Sequence, residues 1–124
     1  MSSLELGFSE QDLANAFANA DPVTTLAANL ELAPEGTLVH EIRRLMAIAL
    51  AKSEFNFGSF SALEADYVAP ARAGGSVTRA LAQRILKIKR VKDEKFEMRA
   101  KLESIVDVLT TARGLFQKVL GEDE

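Results

Sequence analysis

Apolar positions in this chain recur every three or four residues and nowhere alternate one by one, a pattern that predicts helices and no half-buried strands. The punctuation agrees. Ser9 followed by Asp12 has the form of a capping box and opens a helix over about 10–20, with Leu13, Ala16, Phe17 and Ala20 on one side. Asp21-Pro22 is a second start, because Asp caps and Pro is preorganised for the first turn; this helix reaches about Leu30 and ends before Pro34. Thr37 caps a third helix, in which Leu38, Ile42, Leu45, Met46 and Ala49 keep helical spacing to about Ser53.

Residues 55–75 are the least regular part. Phe55, Phe57 and Phe60 are expected to plug the core between helices, and Pro70 with Gly74-Gly75 marks a joint near 69–75, expected to be flexible. The glycines are not followed by the Lys-Ser/Thr that a phosphate-cradling loop needs.

Beyond Ser76 the pattern changes character. Ile88, Val91, Lys95, Met98, Leu102, Ile105, Leu109, Ala112, Phe116 and Val119 alternate by threes and fours, which is a heptad seam. Upstream, Leu81, Ile85, Leu86 and Ile88 form an apolar arc of their own. Without Gly or Pro between Ser76 and Arg113, one continuous helix to about Leu120 is the favoured reading. It would run about 67 Å, well beyond the roughly 35 Å diameter of a compact domain of this size, so its seam would need a partner. The alternative is a break at Lys92-Asp93-Glu94, with Asp93 capping a second helix that folds back as a hairpin. Either way the expected fold is all-α: short amino-terminal helices packed with a long carboxy-terminal helix or helical hairpin, in one domain over 1–124.

Composition narrows the function classes. Cysteine is absent and His40 is the single histidine, so thiolate or typical zinc sites and the usual Ser-His-Asp and Cys-His arrangements have no donors. HEIRR at 40–44 is half of the zinc-protease pattern, but Arg44 stands where the second ligand belongs, and His40 is read as a surface or packing residue. Glu-x-x-His is missing, which excludes ferritin-like di-iron helices. The longest apolar run, LMAIALA at 45–51, is too short to span a bilayer. The start lacks the basic and apolar regions of a signal peptide. The expectation is a cytoplasmic, non-enzymatic protein with no metal, no cofactor, no small-molecule substrate and no membrane partner.

Charge adds one feature. The chain has a net charge of −3, yet residues 79–101 hold nine of its fifteen basic residues against three acids. On one continuous helix, Arg79, Arg84, Lys87, Arg90 and Lys101 fall within an arc of about 140°, opposite the Leu81/Ile85/Ile88 side. Glu94 and Glu97 interrupt that arc, and the competing reading is a solvated face supported by pairs such as Glu97 with Lys101.

Two functions follow as expectations. The first is an assembly or interaction subunit of a larger complex. It would associate with itself or another helical protein through the 88–119 seam, with Ile88, Val91, Met98, Leu102, Ile105, Leu109, Phe116 and Val119 as the interface. The second is a small subunit of a ribonucleoprotein or nucleoid-type complex, binding RNA or DNA backbone through Arg79, Arg84, Lys87, Arg90 and Lys101.

Overall fold

The computed structural model describes residues 3–52, 55–88 and 97–122, the side chains of residues 3 and 4 excepted, and every regular element in them is helical. The elements are α1 (Ser3–Leu6), α2 (Glu10–Phe17), α3 (Pro22–Glu31) and α4 (Leu38–Ala51). A 3₁₀ turn (Gly58–Phe60), α5 (Ser61–Leu63) and a π turn (Glu64–Val68) then lead into α6 (Ala69–Gly74). Last come α7 (Val77–Lys87) and α8 (Met98–Val119).

The starts are where local chemistry puts them. Ser9 Oγ accepts from the Asp12 N–H at 3.1 Å while the Asp12 carboxylate accepts from the Ser9 N–H at 2.9 Å, a complete capping box. Asp21, Thr37 and Ser76 each accept an N–H three residues on, from Thr24, His40 and Arg79. Gly7 is required twice over. Its φ is +113°, and a Cβ there would meet Thr37 Oγ1 and Val39 Cβ at 3.0 Å, so α1 folds against α4 only without a side chain.

The stretch of the expected joint at 69–75 holds the helix α6, and the chain changes direction at Gly75, which has φ +70° and donates to the Ala71 carbonyl at 2.8 Å. Pro70 lies inside this helical stretch. It has no N–H for the Asp66 carbonyl, and its ring crowds that carbonyl; widening the preceding turn to π spacing accommodates both. Of the three phenylalanines, Phe57 is buried, Phe55 meets it edge-on at 5.0 Å, and Phe55 and Phe60 pack half-buried against the core.

The favoured continuous helix is overturned. α7 ends at Lys87 and Ile88 is extended (φ −67°, ψ 124°), as is Glu97 before α8 (φ −133°, ψ 121°). The alternative break point at 92–94 lies outside the described residues. α4 is the element that both helices use: α7 packs on α3, α6 and α4, while α8 packs on α4 and α2. Val39, Ile42, Leu45, Met46 and Ala49 of α4 are completely buried, as are Leu81 and Ile85 of α7 and Ile105, Leu109 and Phe116 of α8. At roughly 1.5–3 kcal/mol per large buried side chain, this shared core is the principal stabilising element of the fold.

Cations close three helix ends. Arg43 donates to the Leu30 carbonyl at 2.9 Å, Arg72 to the Leu50 carbonyl at 3.4 Å, and the Lys101 ammonium to the Ile88 carbonyl. Leu30 and Leu50 lie in the last turns of α3 and α4, at the negative end of the helix dipole, and Ile88 is the extended residue that follows α7.

Candidate functional site

The seam is occupied from within. Ile105, Leu109 and Phe116 have no exposed surface, Ala112 is 4% exposed, and Met98, Leu102 and Val119 are half-buried against the same core. Ile88 is buried as well, on the extended residue after α7. Val91 and Lys95 lie outside the described residues. The apolar face that a protruding helix would have offered to a partner therefore meets α4 and α2 of the same chain. Among the described residues, the heptad spacing of α8 coincides with the face that packs on α4 and α2.

The basic stripe separates into parts. Arg79 is exposed on α7, its guanidinium donating to the Thr24 hydroxyl at 2.9 Å. Asp21 sits in the same network, its carboxyl held below the usual range first by hydrogen bonds from Thr24 and to a smaller degree by Arg79. Lys87 is exposed at the last turn of α7 and has no ion-pair partner among the described residues. Arg90 lies outside them. Lys101 does not belong to this surface. It is 7% exposed on α8, its ammonium on the Ile88 carbonyl and 5.3 Å from the centre of the Phe17 ring. The arc that placed it beside Arg79 assumed an unbroken helix, and the break after Lys87 removes that geometry.

Arg84 is the most constrained member. It is 26% exposed, lies 5.7 Å from the centre of the Tyr67 ring, and approaches the Asp66 carboxylate only to 4.0 Å. Its Nε is buried without a hydrogen-bond partner among the described residues, and so is the Tyr67 hydroxyl. Burial pushes the Tyr67 hydroxyl pKa up, opposed by the guanidinium beside it. The Tyr67 ring is fixed in turn by an edge-on contact with Phe116 at 5.6 Å, so a path of packed groups runs from the core to the Arg84 charge. Asp66 and Tyr67 belong to the π turn, and such turns often occur at functional sites.

Arg72 was absent from the predicted stripe, yet it is exposed on α6, which packs on α7. A signal for it exists in the sequence: from Tyr67 to Lys92 all seven charged residues are basic. Arg72, Arg79, Arg84 and Lys87 are the described part of that acid-free run. Extending the window of the charge count upstream to the last acid, Asp66, brings Arg72 in.

His40 is half-buried on α4 and lines an open groove with Arg43, Arg44 and the first residues of α7. Its arginines are already engaged: Arg43 with Glu31 at 3.2 Å, and Arg44 with Glu41 at 2.6 Å and Glu122 at 3.0 Å. The Arg44 guanidinium holds the Glu41 carboxyl below its ordinary range. No group of three or more metal-ligating side chains converges among the described residues, and no described helix is long and apolar enough to cross a membrane. Searches against protein-family models, curated proteins and solved structures returned no match to this chain.

Proposed function

We propose that this chain is a non-enzymatic helical binding subunit that docks on the sugar-phosphate backbone of a nucleic acid through the outer face of α6 and α7. The observation that carries this reading is the acid-free run: an acidic protein concentrates Arg72, Arg79, Arg84 and Lys87 on two adjoining helices with no carboxylate on either.

Two features favour backbone over other partners. Protein interfaces are anchored by apolar and aromatic side chains, whereas Leu81 and Ile85 of α7 are turned into the core and the exposed positions are Arg79 and Lys87. Base stacking needs exposed aromatics, and α6 and α7 contain none. Association through the 88–119 seam would require Ile105, Leu109 and Phe116 to leave the core, so the assembly role expected from the heptads is less well supported.

With three or four phosphates contacted, log affinity for duplex DNA should fall against log salt with a slope of about −3 to −3.5, alike for unrelated sequences. Joint replacement of Arg79 and Lys87 by Gln should weaken binding of every sequence and reduce that slope by about two. Titration of labelled duplexes at several salt concentrations measures both. An absence of binding at low salt overturns the proposal, and capture by an acidic protein instead would reassign the face.

A further inference from the structure

Between the π turn and α7 lies a cleft of ≈ 110 Å³, too small for a drug-sized ligand and suited to one small group. Its walls are Ala65, Pro70 and Ala80, and its polar groups are Gln83, Arg84, Lys87 and Asp66. Three of these four donate, two of them with full positive charge. The Arg84 fork is held by Tyr67 and the core behind it, yet among the described residues its Nε is buried without a hydrogen-bond partner and its nearest carboxylate is 4.0 Å away, beyond hydrogen-bond reach. A guanidinium held in place by Tyr67 and not neutralised by a close carboxylate is preorganised for an incoming oxyanion, because ordering it again costs little.

We propose that this cleft is a seat for a single phosphate group, with Arg84 as its fork, Lys87 as its point charge and Gln83 as a neutral donor. The inference deepens the nucleic-acid reading, on which the diester form of the phosphate rests: the seat is where one backbone phosphate leaves the solvated face and is gripped. Asp66 is the opposing element. With Arg84 and Lys87 it leaves the cleft one net positive charge, so it weakens anion entry and tunes the site against indiscriminate anion binding. Tyr67 is a positioning residue.

The test has two arms on the full chain. In the first, inorganic phosphate is titrated into isotope-labelled protein and backbone amide shifts are followed by NMR. Shifts should be centred on 83–87 and the π turn, abolished by Arg84→Gln, strongly reduced by Arg84→Lys, which keeps the charge but loses the fork, and increased several-fold in affinity by Asp66→Asn. Lys87→Gln, at an exposed position, supplies a second loss that does not depend on Arg84 packing. In the second arm, duplex DNA is bound by Arg84→Gln and by Arg79→Gln. The seat predicts about a tenfold loss for Arg84→Gln and a clearly smaller one for Arg79→Gln, each reducing the salt slope by about one.

Phosphate that shifts no amide near the cleft, or Asp66→Asn that leaves phosphate affinity unchanged, overturns the seat. Equal losses from Arg84→Gln and Arg79→Gln overturn it too, while leaving the docking face intact. Phosphate shifts at the cleft without duplex binding would keep the seat for a free phosphate or monoester and end the nucleic-acid reading.

Discussion

Arg84 of α7 and Lys101 of α8 are cations of one predicted stripe, but the first borders an open cleft and the second is buried with its ammonium on the Ile88 carbonyl. The helices that carry them differ in the same sense. α7 turns Leu81 and Ile85 inward and leaves Arg79 and Lys87 outside, an ordinary amphipathic division. α8 is twice as long at 22 residues, presents its heptad seam to α4 and α2, and uses a lysine to finish another helix. Cations on two amphipathic helices thus acquire different roles from what lies across from them. A seam says that an apolar face exists; it does not say whether its partner is in the same chain.

The sharpest way to break this contrast is to test the seam against the outside of the same helix. Leu109→Ala should cost about 2–5 kcal/mol in urea denaturation, because Leu109 has no exposed surface. Leu115→Ala, at a position 37% exposed, should cost less than about 1 kcal/mol. Equal costs would mean that α8 does not sit on the core as described.

A smaller effect separates the two cations. Lys101→Met keeps the apolar stem but leaves the Ile88 carbonyl without its charged donor, and should cost about 1–3 kcal/mol of stability with no change in nucleic-acid affinity. Arg84→Gln should show the reverse, with stability within about 1 kcal/mol of wild type and weakened binding. Denaturation and binding measured on the same samples decide it, and parallel behaviour of the two variants would restore the single stripe.

The smallest expected effect concerns Tyr67. Removing its hydroxyl, which has no hydrogen-bond partner among the described residues, by Tyr67→Phe should be neutral or stabilising by up to about 1 kcal/mol near pH 7, since a buried polar group is relieved. Its pKa is raised above the ordinary 10.0 by burial, so the folded state holds the phenolic proton more tightly than the unfolded chain. That contribution is fully present below pH 10 and is lost as pH rises through the folded value. The variant should therefore lose less stability than wild type above pH 10, measured by denaturation on both sides of it. A destabilised Tyr67→Phe would reveal a hydrogen-bond partner for the hydroxyl.

What could be read from the sequence alone was the part governed by interactions a few residues long. Ser9, Asp21, Thr37 and Ser76 each cap a helix through an N–H three residues away, and Leu38, Ile42, Leu45, Met46 and Ala49 share one buried face because a helix repeats every 3.6 residues. Those rules determined the all-helical class and the starts of α2, α3, α4 and α7. The exposed half of the candidate site, Arg79 and Lys87, was legible for the same reason, as positions that the helical repeat sets opposite Leu81 and Ile85.

The tertiary structure decided the rest. Nothing near Ile88 is a helix breaker, and Glu97 caps α8 with no side-chain hydrogen bond, so neither the end of α7 nor the start of α8 has a local signal. The Ile88 carbonyl, which a continuing helix would have given to residue 92, accepts instead from Lys101, thirteen residues away in the chain. Likewise Arg84 meets Tyr67 and Asp66 only because the π turn packs beside α7. A cap or a periodic face is settled within one or two turns, whereas the partner of a face or of a charge is settled by which distant segment the collapsed chain brings against it.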